Sequence, residues 1–338
     1  MALVARPRIL IILLGAIGDV VRGLPLLMRL RRAYPEAHIT WAVEPLSEPI
    51  VRDHPALDEV IVFERKGGAR AFAEFLRRLR DVRPDLTLDL QRHLKSGVSS
   101  IVSGASLRLG FHRRNSREGN WLFNNAHVPP RPHYSSKLEH FLTFADWLEL
   151  PPAPVEFGLR LSDAESVRVE TLLAPVRRPY VAAFVGSSCD SRLWFADRTA
   201  RVLESMARRG LTPVLLGGPG DVAFAASIAA ECRVPVCDLA DKTSLRDLFG
   251  IFERCVVAFG PDSGPMHIAA AVGAPVVSLW GATSSERSAP WGNADGVIEG
   301  VADCRPCFKK TCPIGRVCMQ AIEVEPVLDQ LLLKKRPS

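Results

Sequence analysis

The sequence predicts an α/β protein built from two doubly wound, Rossmann-like parallel-sheet domains facing a central cleft. Three observations carry that expectation. Short, continuous apolar runs alternate with stretches of helical apolar spacing, the pattern of βαβ units whose strands are covered on both faces. The alternation lapses through two proline-rich stretches, Val128-Pro129-Pro130-Arg131-Pro132 and Pro151-Pro152-Ala153-Pro154, and then restarts. At roughly 100–200 residues per domain, 338 residues suit two domains, each large enough to bury its own core.

Taken in order, Arg8–Leu14 reads as a first buried strand, and Leu24–Arg32 as a helix ending before Tyr34-Pro35, where proline disfavours continuation. His38–Val43 and Glu59–Phe63 read as the next strands. A basic amphipathic helix follows over Ala71–Arg80, then a strand over Leu86–Leu90. The second proline stretch leads into a polar segment that ends near Arg178-Pro179, and the domain boundary is expected at about residue 170. Beyond it Tyr180–Val185, Pro213–Leu216, Cys255–Phe259 and Val276–Leu279 read as strands. Ile268–Val272 and Pro326–Leu333 read as helices.

Composition excludes several classes. With 47% hydrophobic and 24% charged residues the chain is neither disordered nor fibrous. The net charge of +6 is spread over both halves, so it permits an anionic ligand or membrane surface without marking a nucleic-acid tail. The run Ile9–Ile17 lacks a small-residue cleavage site after it, and it is far short of the roughly 20 apolar residues a spanning helix needs. A soluble or peripheral protein is expected, with no transmembrane segment.

Two strand-to-helix junctions carry candidate chemistry. Gly15-Ala16-Ile17-Gly18-Asp19 follows the first strand. A carboxylate there could take a proton from an attacking hydroxyl, or simply cap the helix. Asp262-Ser263-Gly264-Pro265-Met266-His267 follows a strand of the second domain. It would leave backbone N–H groups free at a helix start, a ready phosphate site, with capping again the plainer alternative. Gly186-Ser187-Ser188 with Arg192, and Gly217-Gly218-Pro219-Gly220-Asp221, are further loops at strand ends, suited to phosphate and to ribose hydroxyls respectively.

Two more features stand out. Arg92–Arg117 holds Arg92, Lys95, Arg108, Arg113, Arg114 and Arg117 and no acidic residue, which suggests an anion-binding groove as well as a merely solvated face. Aromatic interleaving is thin, so nucleic acid is a poor fit. Cys304, Cys307, Cys312 and Cys318 fall within fifteen residues. They could form a structural zinc site or hold an iron–sulfur cluster, with reduced structural thiols or two short disulfides as alternatives.

Together the first-strand Gly-x-x-Gly-Asp, Ser187-Ser188 with a basic residue before Trp194, Gly-Gly-Pro-Gly-Asp, Lys242-Thr243-Ser244-Leu245 and Asp262–His267 resemble the glycosyltransferase family 9 heptosyltransferases over nearly the whole chain. Asp89-Leu90-Gln91 with Lys95-Ser96 leans toward the heptosyltransferase I branch. The resemblance implies a GT-B fold, with an acceptor-binding domain over residues 1–170 and a donor-binding domain over 171–338. It implies inverting transfer of L-glycero-D-manno-heptose from ADP-heptose to a lipid A–Kdo type acceptor, in the cytoplasm at the inner face of the membrane. Asp19 matches the general base. Ser187, Ser188, Arg192, Asp221, Lys242, Thr243, Asp262, Ser263, Gly264 and His267 match donor-binding positions, with Arg192 standing where familiar members carry lysine. Arg92, Lys95, Arg113, Arg114 and Arg117 are assigned to the acceptor. No Asp-x-Asp pair occurs in the sequence, so catalysis is expected to need no metal. Another nucleotide sugar or acceptor, a non-catalytic sugar-nucleotide binder, and a redox or metal-sensing role for the cysteines are the alternative readings.

Overall fold

The structure is a computed structural model that describes residues 6–337. The chain divides into two compact units, 1–158 and 159–338. The division falls twelve residues before the expected boundary, because the helix over Asp163–Leu173 packs with the second unit. There Arg168 Nε meets the Asp247 carboxylate at 3.0 Å, and Arg246 grips Glu165.

The first unit is a six-stranded, all-parallel sheet of β1 (Arg8–Ile12), β2 (His38–Val43), β3 (Glu59–Val62), β4 (Leu86–Asp89), β5 (Leu107–Phe111) and β6 (Ala126–Val128), in the order β3-β2-β1-β4-β5-β6. Its helices are α1 (Ile17–Ala33), the short α2 (Glu48–Val51), α3 (Gly68–Asp81), α4 (Leu94–Val102) and α5 (Lys137–Trp147). Leu10, Ile12, Ala42 and Ile61 of the sheet bury against Phe75 and Leu79 of α3. Full burial of a side chain of this size contributes about 1.5–3 kcal/mol. The first helix starts seven residues earlier than its sequence suggests. Val20, Val21, Leu24 and Leu27 are buried at helical spacing, while Gly18, Gly23 and Pro25 mask that periodicity.

The second unit repeats the plan. Strands β7 (Tyr180–Phe184), β8 (Thr212–Leu216), β9 (Cys237–Asp238), β10 (Val257–Pro261), β11 (Val276–Trp280) and β12 (Val297–Glu299) run parallel in the order β12-β11-β10-β7-β8-β9. Around them lie α6 (Asp163–Leu173), α7 (Ala196–Arg208), α8 (Val222–Glu231), α9 (Asp247–Arg254), α10 (Gly264–Ala271), α11 (Ser285–Ser288), α12 (Val317–Gln320) and α13 (Val324–Lys334). Val202, Leu203 and Met206 of α7 and Val327 and Leu331 of α13 close the core over the sheet. Strands β7 and β10 approach so closely that a Cβ at Gly260 would collide with the Phe184 carbonyl oxygen.

Both sheets reverse their strand order at one place, between β1 and β4 in the first unit and between β7 and β10 in the second. At such a switch point the loops leaving the carboxyl ends of two neighbouring strands diverge and open a crevice, which is where open α/β sheets bind ligands. Every sequence motif singled out at a junction of β1, β4, β7 or β10 therefore falls beside a switch point.

Candidate active-site groups at the two switch points

In the first unit Asp19 is not the N-cap of α1. That position belongs to Ala16, which makes no side-chain cap, and Asp19 sits inside the first turn with its N–H donating to the Ala16 carbonyl at 2.9 Å. Its carboxylate is held by cations from two helices. Arg22 Nη1, one turn along α1, donates to Oδ1 at 2.5 Å, and Lys137 Nζ, at the start of α5, donates to Oδ1 and Oδ2 at 2.8 and 2.9 Å. Asp19 and Lys137 each keep 23% of their side-chain surface exposed, so the group is held and still reachable. Lys137 had no sequence signal of its own, because 118 residues separate it from Asp19.

Across the switch point, β4 ends in the buried Asp89. Its Oδ2 accepts from Asn120 Nδ2 at 2.5 Å and from Asn124 Nδ2 at 3.3 Å, and its Oδ1 accepts the Gln91 N–H at 3.2 Å. Burial pushes the Asp89 carboxyl above its usual range, opposed by the hydrogen bonds from Asn120, Ser96, Asn124 and Gln91. Gln91 passes the order on, since its Oε1 accepts the N–H groups of Leu14 and Gly15 at 2.8 and 3.4 Å. The backbone leading to Asp19 is thus tied to the loop after β4.

The basic residues of the 92–117 stretch do not behave alike. Arg92 turns inward, with its guanidinium 4.0 Å above the Phe111 ring and Nη2 2.7 Å from His140 Nδ1. Lys95 is exposed and lies over Phe63 and Phe72, 5.0 and 5.5 Å from the ring centroids. Arg113, Arg114 and Arg117 are exposed on the turn after β5.

In the second unit the strand-end loops converge on Asp262. Its carboxylate accepts from Thr283 Oγ1 at 2.8 Å and pairs with Arg192 Nη1 at 3.1 Å. Ser263 is the N-cap of α10, its side chain makes no cap hydrogen bond, and its buried Oγ has no partner. Arg192 Nε is likewise buried without a partner. Gly264 opens α10, and His267 is buried on its first turns at 4% exposure. Two donors left unsatisfied beside the positive end of a helix form a cradle for an anion, since leaving them unpaired costs about 1–3 kcal/mol each.

Asp221 lies against the β7 loop, because a Cβ at Gly186 would collide with its carboxylate. Its Oδ2 accepts the Gly218 N–H at 2.8 Å, and burial raises its carboxyl above the usual range. Ser187 is half-buried and Ser188 exposed on that same β7 loop. Lys242 Nζ turns back to the Asp238 carbonyl at 2.6 Å, and the loop carrying Thr243 is tied to the glycine loop through the Asp241 N–H and the Gly217 carbonyl.

The cysteine expectation is corrected. Among the described residues no three His, Cys, Asp or Glu groups converge to hold a metal ion, and all eight cysteines are free. Close sequence spacing brought the four cysteines into one strap, where burial, and after it Cys304 and Cys307, push the Cys318 thiol up, without a metal-holding set being formed among the described residues. Cys304 is exposed and Cys318 packs inward under the core, while Cys312 Sγ accepts the Arg316 N–H at 3.1 Å within a local turn. The strap itself has a structural job that its spacing did not reveal. Phe308 N–H donates to the Ala282 carbonyl, Arg305 binds the carbonyls of Gly281 and Gly300, and Ser191 bonds to the carbonyls of Lys309 and Lys310. It fastens the loop after β11 to the turn that carries Arg192.

Comparison with known proteins bears on the family and the fold. The family model described as glycosyltransferase family 9 (heptosyltransferase) matches residues 72–318. The chain is 26% identical over 339 residues to the lipopolysaccharide core heptosyltransferase OpsX of Haemophilus influenzae, covering 96% of each. A glycosyltransferase family 9 structure from Veillonella parvula superposes with a TM-score of 0.85 at 20% identity, covering 98% of this chain and 99% of that one. The E. coli ADP-heptose lipopolysaccharide heptosyltransferase II superposes with a TM-score of 0.78 at 21% identity, covering 96% and 98%. With a family match over residues 72–318 and two six-stranded parallel sheets of this topology, this chain belongs to glycosyltransferase family 9, the heptosyltransferases, and is a glycosyltransferase of the GT-B class.

Proposed function

We propose that the protein transfers L-glycero-D-manno-heptose from ADP-heptose to the Kdo/heptose region of the lipopolysaccharide inner core, with inversion at the anomeric carbon. The observation that carries this reading is the cradle at the start of α10, where Ser263 Oγ and Arg192 Nε are buried and unsatisfied beside Asp262. Such a site suits the diphosphate of a sugar nucleotide. A protein named for ADP-heptose is among its structural relatives, and one named for the lipopolysaccharide core is among its sequence relatives.

In this reading the acceptor hydroxyl oxygen attacks the anomeric carbon of the donor heptose. Asp19 takes the hydroxyl proton, the bond from that carbon to the β-phosphate oxygen breaks, and ADP departs with the electron pair. Arg22 and Lys137 fix the orientation of the Asp19 carboxylate. Arg192 and the first amides of α10 receive the charge that grows on the leaving diphosphate. Ser187, Ser188, Gly264 and His267 line the donor's path, Asp221 takes the ribose, and Lys242 and Thr243 lie beside the adenosine. Lys95, Arg113, Arg114 and Arg117 meet the carboxylates and phosphates of the acceptor, with Arg92 supporting their loop from behind.

The decisive experiment incubates the protein with ADP-heptose and a panel of defined core acceptors, then analyses product mass and anomeric configuration. A heptosylated inner-core product of inverted configuration is expected. Transfer from a different nucleotide sugar with ADP-heptose left intact would overturn the donor assignment. Retained configuration would overturn the single displacement.

A further inference from the structure

Helix α4 is built inside out. A surface helix ordinarily turns its apolar stripe to the core and its polar residues to water. Here the inward face is polar, with Ser96, Ser99, Ser100 and Ser103 at the helix end all buried. They serve the polar network around Asp89. Ser96 Oγ accepts from Asn120 Nδ2 at 3.1 Å, Ser100 Oγ donates to Asn124 Oδ1 at 2.7 Å, and Ser103 Oγ lies 2.9 Å from Thr87 Oγ1. The apolar residues are left to face outward. Leu94, Val98 and Ile101 stand at i, i+4 and i+7 on one side, with Leu94 45% and Ile101 48% exposed and Val98 half-buried.

The neighbouring segment extends this apolar surface. Asn120, which reaches under α4, is followed directly by Trp121 and Leu122, exposed by 37% and 66%. Trp121 packs its ring beside His127, 6.4 Å between centroids, and Leu122 is left largely to solvent. The rim is cationic. The Arg117 N–H donates to the Arg92 carbonyl just before α4, Lys95 is exposed on the helix itself, and Arg113 and Arg114 stand exposed on the preceding turn. Glu118, the carboxylate adjoining this rim, is engaged by His93 Nδ1 and by the Leu94 N–H at 3.2 and 3.1 Å.

We propose that the face formed by Leu94, Val98, Ile101, Trp121 and Leu122 docks on an anionic lipid bilayer, its apolar side chains entering the headgroup boundary and its arginines and lysine meeting lipid phosphates. An exposed apolar patch rimmed by cations, with tryptophan at the border, is the composition of an interfacial membrane contact. A second copy of the chain fits this face poorly. Like charges on the two rims would oppose each other, and five side chains fall well short of the roughly 1,600 Å² that a stable interface buries. The proposal rests on the lipid-linked acceptor read above in that such an acceptor is met at a bilayer and shares its cationic rim; the apolar side chains that carry it, Leu94, Val98, Ile101, Trp121 and Leu122, have no part in the acceptor reading.

The test is co-sedimentation with vesicles of phosphatidylglycerol and phosphatidylethanolamine against vesicles of phosphatidylcholine alone, using wild type and the double variant Ile101→Glu/Leu122→Glu. Wild type is expected to partition onto the anionic vesicles at least tenfold more strongly than the variant. It should bind phosphatidylcholine weakly and leave the anionic surface at high salt. Both substitutions are at exposed positions, so thermal melting and transfer to a delipidated core oligosaccharide should be unchanged. As a second readout, brominated lipid mixed into the anionic vesicles should quench tryptophan emission of wild type and do so less in Trp121→Phe. Wild type remaining in the supernatant, or the double variant partitioning like wild type, overturns the proposal. So does a wild-type dimer that the variant dissolves while vesicle binding persists. Failure of the transferase reading would show separately, as no transfer to any acceptor whether or not vesicles are bound.

Discussion

At the scale of single residues, the proposed chemistry turns on the Asp19 carboxylate, which is held by cations and yet reachable. Asp19→Asn removes the proton acceptor and keeps the shape of the side chain. General base catalysis contributes about 10²–10⁴-fold, so kcat should fall by about that factor while calorimetric titration with ADP shows unchanged affinity. Near-normal turnover would remove Asp19 from this role. The exposed arginines make a second prediction. Arg113→Glu with Arg114→Glu should raise the acceptor KM by tenfold or more and leave donor KM within about twofold, because those side chains stand on the first unit and the Asp262 cradle belongs to the second. Steady-state kinetics with each substrate varied in turn separates the two. Asp19 was legible as a candidate because it follows a strand in a glycine turn. Its partner Lys137 was not, because an ion pair spanning 118 residues leaves no local pattern.

Whole elements explain how such residues are held. The loop after β4, helix α4 and the 120–124 segment all close on Asp89, whose carboxylate satisfies two buried amides and a backbone N–H. Asp89→Ala would leave those donors buried without an acceptor, at about 1–3 kcal/mol for each group not rescued by water. Urea unfolding should show the loss, and kcat should fall with it because Gln91 no longer steadies the Leu14–Gly15 backbone. A second element-scale prediction concerns α6. Glu165 closes a capping box with Ser162 and binds Arg246, and these hydrogen bonds, Arg246 foremost, hold its carboxyl at about 2. A folded-state value below the ordinary 4.5 means the contribution is fully present above about pH 4.5 and is lost as pH falls from there toward 2. Stability measured across that window should therefore decline by about 1–3 kcal/mol, after discounting for solvent screening, and Glu165→Gln should flatten this part of the slope. Elements with uniform apolar runs, such as β1, β2 and β7, were readable within one or two residues. Helix α4 was not, because its buried face is made of serines and its apolar residues point outward.

At the scale of the molecule, two sheets of one topology each present a switch point, and the proposed reaction draws on both. In that proposal leaving-group charge falls to Arg192 and the α10 amides, and the sequence has no Asp-x-Asp pair to hold a divalent ion at the diphosphate. Transfer should accordingly survive EDTA treatment with at least half its rate, measured as product formed per enzyme; loss of activity in protein that stays folded would reverse that conclusion. The cysteines show where spacing misleads. Four within fifteen residues suggested convergence on a metal, whereas among the described residues no metal-holding set forms and the strap uses its backbone to bind loops together. By itself the sequence determined the α/β class, the repeated strand–helix plan and the strand-end motifs, because period, glycine turns and helix starts are local properties written within a few residues. Only the tertiary structure decided which groups meet: Lys137 on Asp19, Thr283 and Arg192 on Asp262, the serine face of α4 on Asp89. Those contacts join positions from 7 to 118 residues apart, and chain direction, packing and charge decide them together.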